Sequence, residues 1–303
     1  MSYAQDQYPS KPVKLVVGFP PGGGNDILAR LVGEKLQTAL GQPFIVENKP
    51  GANGIIAIEQ VKRAAADGYM LLVGPSSGMT VNPALYADLP YDPIKDFAPV
   101  SMVGLFPLIL TVHPSVAAKT TAELIAIAKA SPGRINYSSA ATSFQLATEM
   151  FAQRAGIALN HIPYKGSAPA VNAVLSGEVA LTFADSAAVM AQIKAGKLRA
   201  IAVSSAKRVR IVPELPTIAE SGVPGYEMVL WSGIFAPAGT LGALTTRLQK
   251  EIAQVVFQPD LRERMMNLGV EPVGSTAAEL SATMKAQISQ YKQVAAKGNI
   301  KAQ

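Results

Sequence analysis

The sequence contains no cysteine, only two histidines and a single tryptophan among its 303 residues. The absence of cysteine excludes disulfides, thiolate nucleophiles and cysteine-ligated metal sites. His113 and His161 lie in separate segments without metal-ligand spacing, so a histidine-built zinc site is not expected either. No apolar run is long enough to cross a bilayer. We therefore expect neither a metal nor another cofactor.

Charged residues are also few, at 16% of the chain, whereas hydrophobic residues make up 49%. This balance predicts a large folded core rather than disorder, and the length suits two domains. The 27 Lys and Arg residues exceed the 21 Asp and Glu residues, which gives a net charge of +6. The basic residues are scattered along the chain, so no nucleic-acid-binding stripe is indicated.

The segment around which the chain is organised reads as strand, glycine loop and helix. Residues 15–19 form a short apolar run typical of a buried parallel strand, and two prolines end it. Three glycines at 22–24 then turn the chain, and either Asn25 or Asp26 can cap the next helix. The helix is predicted by an apolar stripe at Leu28, Val32, Leu36 and Leu40.

A helix N-terminus behind a glycine loop suits an anion, because it presents free N–H groups and a partial positive charge. The loop lacks the Lys-Ser/Thr pair of a phosphate-binding P-loop and the G-x-G-x-x-G spacing of a dinucleotide site. We therefore favour a carboxylate as the anion. The alternative is a tight turn between strand and helix that requires glycine for its geometry alone.

Two further strands in this first half also lead into loops of small residues. Residues 43–47 precede the glycine-rich loop 48–54, and residues 69–74 precede the loop 75–80. The carboxyl ends of parallel strands share one edge of a sheet, where ligands bind, so we expect the three loops to lie together. Ser76 and Ser77 either line this edge or serve only as turn residues.

A second strand–helix series repeats this logic. A predicted strand at 135–138 leads through the small residues 139–143 into another helix, whose N–H groups suit an anion unless Thr142 or Ser143 caps them. Asp185 ends a further strand, where it either holds a ligand's amino or hydroxyl group or caps a helix. Two long apolar runs, 100–112 (broken by Pro107) and 226–236, are interpreted as crossings between two domains. A short helix is predicted at 217–221, and the helical tail should pack on the first domain.

Several motifs in one order resemble the Bug family, the extracytoplasmic solute receptors of tripartite tricarboxylate transporters. The resemblance runs from about Tyr8 to the C-terminal helices. Its main motifs are FPPGGGND (19–26), VENKPGANG (46–54), LPYDPIKDFAPV (89–100), PYKGSAP (163–169), KAGKLRA (194–200) and FAPAGT (235–240).

This resemblance implies an α/β fold of the two-lobed, type II-like periplasmic-binding-protein kind (a Venus flytrap), with mixed sheets flanked by helices. Domain 1 is expected at residues 8–104 plus 232–303, and domain 2 at 105–231. The implied function is capture of a small mono- or dicarboxylate and its delivery to membrane transporter subunits, without catalysis. A ligand-sensing subunit for a membrane signalling partner is the alternative, and an enzyme acting on an anion is disfavoured. We expect a periplasmic monomer, with residues 1–7 as the trimmed end of an export signal.

The resemblance places one ligand carboxylate between the first glycine loop and the loop 139–143. Together with the candidates chosen from the residues themselves, the expected ligand-binding residues are Pro21, Gly22, Gly23, Gly24, Ser76, Ser77, Ser139, Ala140, Ala141, Thr142, Ser143, Tyr164 and Asp185. Two departures from the family pattern concern the far end of the ligand. The family usually has Phe-Asp-Asn where this chain has Phe183-Ala-Asp-Ser, and often has His where Gln145 stands.

Overall fold

The computed structural model describes residues 8–301, which form two compact α/β units. Unit 1 comprises residues 8–105 and 231–292, and unit 2 comprises residues 106–230 and 293–301. The boundaries fall inside two long strands, β4 and β9, and inside the last helix. The predicted export-signal remnant at residues 1–7 lies outside the described part of the chain.

Unit 1 contains a mixed sheet in the order β2-β1-β3-β9-β4, with β10 paired to β4. Strand β1 is parallel to β2 and β3, whereas β9 is antiparallel to β3. The loops that follow β1, β2 and β3 therefore lie at one edge, as the sequence predicts. The strands are β1 (Val13–Val17), β2 (Phe44–Asn48), β3 (Met70–Pro75), β4 (Phe97–Val112, shared with unit 2), β9 (Val229–Pro237) and β10 (Glu271–Pro272).

The helices of unit 1 cover this sheet and bury an apolar core. Leu28, Val32 and Leu36 of α1 are buried, so the predicted stripe is confirmed, although Leu40 is only partly covered. Trp231 is 1% exposed and packs within the core. The helices are α1 (Gly24–Leu40), α2 (Ile55–Lys62), α3 (Asn82–Leu85), α8 (Gly242–Val256), α9 (Pro259–Asn267) and α10 (Ala277–Gly298, whose end belongs to unit 2).

Unit 2 contains a second mixed sheet, in the order β8-β4-β7-β5-β6. Strand β5 is parallel to β6 and β7, whereas β4 is antiparallel to β7 and β8. The carboxyl ends of β5, β6 and β7 therefore share an edge. The elements are α4 (Thr121–Ala130), β5 (Asn136–Ser139), α5 (Thr142–Ala155), β6 (Asn160–Pro163), α6 (Ser167–Leu175), β7 (Leu181–Asp185), α7 (Ser186–Lys194) and β8 (Arg199–Val203).

Three local predictions are wrong. Residues 217–221 form turns instead of a helix, because Thr217 pairs with Val203 and the segment between Pro216 and Gly222 is too short to propagate one. The run 100–112 is not broken at Pro107, which lies between the ladder to β10, ending at Leu105, and the ladder to β7, starting at Leu108. The tail does not pack wholly on the first domain, since Val294 O accepts a 3.0 Å hydrogen bond from Gln153 in unit 2.

Candidate functional site

The glycine loop of unit 1 leads into an α1 N-terminus that, within the described chain, no side chain caps. Gly22 has a φ of +84°, which favours glycine, and Gly23 occupies the N-cap position with extended backbone. The predicted capping by Asn25 or Asp26 is wrong, because both lie inside the first turn of the helix and have other partners. The hydroxyl of Ser232 on β9 donates to Asn25 Oδ1. The α1 N–H groups are thus left to an external acceptor or to solvent.

Asp26 instead holds the glycine loop to the helix from within. Its carboxylate is 2% exposed and accepts a 2.9 Å hydrogen bond from the Gly22 N–H. Arg30, one turn later, lies 2.9 Å from Oδ1, and Asn48 at the end of β2 donates to the same oxygen at 2.9 Å. Asn48 also donates to Phe19 O at 3.0 Å. The loop is therefore fixed by a buried charged network.

This network determines the ionisation of Asp26. Burial raises the pKa of the Asp26 carboxyl, but hydrogen bonds from Arg30, Gly22 and Asn48, together with the charge of Arg30, outweigh burial and hold the pKa below its usual range. Asp26 is consequently ionised at neutral pH while all its short contacts are internal. Its role in the structure is to brace the loop.

The other two loops of unit 1 adopt unusual backbone conformations. Four successive residues, 51–54, have positive φ, including Ala52 at 46° and Asn53 at 53°. A Cβ at Gly18 would approach Gly54 Cα to 2.8 Å, so the backbones of the loops after β1 and β2 lie in close contact at these two glycines. The loop after β3 forms a π-helical turn at Ser77–Val81, a geometry frequent at functional sites.

Ser76 is buried, and Ser77 is partly exposed at the start of the π-helical turn. Ser76 Oγ accepts a 3.2 Å hydrogen bond from the N–H of Trp231, the residue before the partner of Asn25. Two neighbouring residues of β9 thus connect the loops after β1 and β3. The Trp231 ring is buried in the core of unit 1, and its Nε1 donates to Gln287 of α10 at 2.9 Å.

In unit 2, helix α5 begins at the edge where β5 ends. Ala141 is its N-cap with extended backbone, and in the described part of the chain no side chain caps the helix. The alternative that Thr142 or Ser143 provides the cap is therefore wrong. Helix α4 of the same unit shows the usual arrangement, because Thr120 Oγ1 accepts from the Glu123 N–H at 3.2 Å.

Ser139, the last residue of β5, is held by a histidine. Its hydroxyl lies 2.7 Å from His161 Nε2, and the His161 ring stacks on Tyr137 with centroids 4.9 Å apart. Tyr137 in turn donates to Glu149 at 2.7 Å. Burial lowers the pKa of His161 and raises the pKa of Glu149. Ser139 is therefore held by the imidazole of His161, and Tyr137 links this ring to the carboxyl group of Glu149.

The loop after β6 runs beside this one and carries Tyr164. Gly166 N–H donates to Ala140 O at 3.1 Å, and Tyr164 N–H donates to Ser139 O at 3.0 Å. The Tyr164 hydroxyl already donates to Glu178 at 2.7 Å, which raises the pKa of the phenol. The hydroxyl proton and the backbone N–H of Tyr164 are thus already engaged within unit 2 in this conformation.

Asp185 ends β7 at the same edge. It occupies the N-cap position of α7, but among the described residues its side chain caps no helix. Instead, Oδ2 accepts a 2.9 Å hydrogen bond from the hydroxyl of Ser167, the first residue of α6. Burial raises the pKa of Asp185, although the Ser167 hydrogen bond opposes the shift. The capping alternative is therefore wrong, and the ligand alternative stays a prediction.

Sequence reasoning missed Asn48, Gln287 and Ser167 as parts of these edges, and it treated His161 only as a strand-edge residue. Asn48 could have been suspected from the loop motif in which it stands. Gln287 gave no signal, because it reaches Trp231 over 56 residues of sequence.

Neither a metal centre nor a membrane span is found in the part of the chain that the structure describes. In residues 8–301, no three His, Asp or Glu side chains are grouped closely enough to bind a metal. No helix among these residues combines the length and apolar character needed to traverse a bilayer.

Comparisons with known proteins agree with this architecture. The family model described as "Tripartite tricarboxylate transporter family receptor" matches residues 28–300. An R. palustris protein solved with adipate is 34% identical, with a TM-score of 0.81 over 98% of this chain and 100% of the other. The periplasmic binding protein BugD is 35% identical, with a TM-score of 0.76 over 98% and 100%. MatC from Rhodopseudomonas palustris, with bound malate, is 28% identical, with a TM-score of 0.75 over 95% and 99%.

Proposed function

Because the chain belongs to the tripartite tricarboxylate transporter receptor family, whose members are solute-binding receptors and not enzymes, we propose that it captures a small mono- or dicarboxylate in the periplasm. We further propose that it delivers this ligand to the membrane subunits of such a transporter. The adipate and malate complexes of its relatives support a carboxylate as the ligand class.

The observation that carries this proposal is a shared feature of the two units. Each presents a helix N-terminus without a side-chain cap, within the described chain, directly behind a loop of small residues at the carboxyl edge of its sheet. Such an N-terminus stabilises an anion by about 0.3–1 kcal/mol, and more in a dry site. Charge-assisted hydrogen bonds add about 1.5–3 kcal/mol each.

We propose that each of these two loops, with the helix N-terminus behind it, can donate hydrogen bonds to a ligand carboxylate. The residues assigned to it are Pro21, Gly22, Gly23, Gly24, Ser76 and Ser77 of unit 1, and Ser139, Ala140, Ala141, Thr142 and Ser143 of unit 2. No arginine is required for micromolar affinity, which corresponds to about 8 kcal/mol.

A ligand panel tests the proposed class. We expect thermal unfolding in the presence of C4–C8 dicarboxylates, amino acids and aromatic acids to reveal a stabilising compound. A ligand at about 100 times its dissociation constant should add about 2.7 kcal/mol to the free energy of unfolding. If no carboxylate raises the unfolding temperature, the proposed function is wrong.

The substitution Gly23→Val tests whether the first loop contacts the ligand. A Cβ at Gly23 meets only Pro20 O, at 3.5 Å, and the φ of −76° suits valine, so the fold should tolerate the change. The side chain would occupy the approach to the α1 N–H groups, and calorimetry should show an affinity loss of roughly 100-fold.

Gly242→Val is a matched control, because Gly242 also begins a helix of unit 1 and a Cβ there meets nothing within 4 Å. This variant should retain wild-type affinity. Unchanged affinity in Gly23→Val would show that the glycine loop is only a turn.

A further inference from the structure

The chain contains a second, acidic feature at the binding edge of unit 2. The connection is continuous: Ala140 O accepts from the Gly166 N–H, and Ser167, the next residue, donates its hydroxyl to Asp185 Oδ2 at 2.9 Å. Asp185, at the end of β7, is therefore connected to the loop before α5 through hydrogen bonds of Gly166 and Ser167.

Asp185 is partly buried and has no cationic partner among the residues that the structure describes. Among residues 8–301, no lysine or arginine forms an ion pair with it, and its hydrogen-bond donors are the Ser167 hydroxyl and its own backbone N–H. Lys165, on the same loop, is exposed and makes no ion pair within the described chain. Even partial burial makes an ionised carboxylate costly when no cation or proton neutralises it.

We propose that Asp185 is a specificity-determining residue that binds an ammonium group of the ligand, so that this receptor selects amino-substituted carboxylates over the corresponding unsubstituted acids. This inference rests on the proposed function, because it takes the α5 edge as a carboxylate site. An ammonium group supplies the missing positive charge and up to three donors for the free carboxylate lone pairs. A second ligand carboxylate at the same place would instead be repelled by ionised Asp185.

Calorimetry with matched ligand pairs tests this selectivity. The pairs aspartate and succinate, glutamate and glutarate, and 2-aminoadipate and adipate each differ by one amino group. In the pair of suitable length we expect the amino-bearing member to bind roughly tenfold more tightly or better. In Asp185→Asn the ratio should fall below about threefold, because the amide is neutral and keeps the shape of the side chain.

Two further variants separate the effect of the Asp185 charge from the effect of its hydrogen bond with Ser167. Ser167→Ala removes a donor to Asp185 but keeps the acid, so the preference for amino ligands should persist. Glu214→Gln removes an exposed carboxylate from the same unit, and its affinity ratios should equal those of the wild type. Thermal unfolding without ligand checks that each variant is folded.

The number of protons exchanged on ligand binding provides a test that uses the wild-type protein alone. Calorimetry in buffers of different ionisation enthalpy measures protons exchanged on binding. An amino-bearing ligand should bind without proton uptake, because its ammonium neutralises Asp185, whereas an unsubstituted diacid beside Asp185 should take up a proton.

The proposal is overturned if wild type binds the unsubstituted acid as tightly as its amino counterpart, if the preference survives in Asp185→Asn, or if amino ligands bind with proton uptake. The proposal is also overturned if another carboxylate of the panel binds while no amino-substituted acid binds. Each of these results still shows a bound carboxylate and leaves the proposed function standing. Failure of every carboxylate to bind contradicts the proposed function itself.

Discussion

The glycine loop of unit 1 and the loop 139–143 of unit 2 present similar backbone, yet different chemistry fixes them. The first is held by Asp26, an ionised and buried carboxylate that links the Gly22 N–H, Arg30 and Asn48. The second is held at Ser139 by His161, a neutral ring stacked on Tyr137. Equivalent N–H groups can thus be positioned by a charge network or by uncharged side chains.

The difference follows from what each loop demands of its backbone. The glycine loop contains a positive φ and no side chain of its own, so an external acceptor must fix its N–H groups. The loop 139–143 carries hydroxyls, which a neutral histidine can orient. The comparison predicts unequal responses to substitution and to pH.

The largest effect is expected for Asp26→Ala. The substitution removes the acceptor of the Gly22 N–H and of the Asn48 amide, and urea denaturation should show a loss of about 3 kcal/mol in the free energy of unfolding. Affinity for the identified carboxylate should also fall, because the loop is no longer fixed. Asp260→Ala is the control, since Asp260 pairs with Lys35 at the exposed surface, and its unfolding midpoint should match the wild type. Equal midpoints for both variants would contradict a bracing role for Asp26.

The second-largest effect is expected at the N-terminus of α5 in unit 2, where one substitution should raise stability and lower ligand affinity. In Ala141→Asp the new carboxylate should cap α5 and raise the free energy of unfolding by about 1 kcal/mol. Because it occupies the place assigned to the ligand, it should also reduce affinity by roughly 100-fold. Leu241→Asp provides the matched case at the exposed N-cap of α8, where it should stabilise the protein similarly and leave affinity unchanged. Retained affinity in Ala141→Asp would remove the α5 N-terminus from the site.

The smallest effect is a difference in pH response. Burial lowers the pKa of His161 below its ordinary value of about 6.5, so the folded state binds fewer protons than the unfolded state. The contribution of neutral His161 to stability is therefore present above about pH 6.5 and is lost as the pH falls through the folded pKa. Asp26 has a lowered pKa, and its contribution should be lost only under more acidic conditions, below the ordinary Asp value of about 3.9.

Urea denaturation between about pH 7 and about pH 5 measures this response. His161→Phe retains a ring against Tyr137 but cannot titrate, so its stability should decline less than that of the wild type. Glu149, linked through Tyr137, is present in both proteins and cancels in the comparison. Parallel pH profiles for the two proteins would show that His161 does not titrate in this range.

Much of the architecture was accessible from the sequence, because it depends on local patterns. Apolar stripes and glycine punctuation predicted α1, and the succession of strands and small-residue loops predicted two sheet edges with loops side by side. Capping was mispredicted because propensity ranks Asn25 and Asp26 as good caps, whereas Ser232 on β9 and the Arg30–Asn48 pair engage these side chains. Arg30 is a local partner one helical turn away, but the contacts of Ser232 and Asn48 depend on how distant strands are paired, which no local pattern encodes.

The residues of the candidate site likewise divide into those that local patterns predict and those that depend on distant partners. Backbone donors at Gly23 and Ala141 could be inferred, since helix starts and small residues mark them. The Ser167 contact of Asp185 could not, because it joins the first turn of α6 to the end of β7. The ligand-binding assignments themselves remain predictions to be tested by the variants above.

The position of β9 also governs the order in which the chain can assemble. This strand begins at Val229, yet it lies between β3 and β4, which end at Pro75 and Val112. In a nascent chain, the edge of β3 that pairs with β9 therefore stays unpaired until the strands of unit 2 have been synthesised. The strands β4 to β8 are contiguous in sequence, so they can pair with one another before β9 has been synthesised.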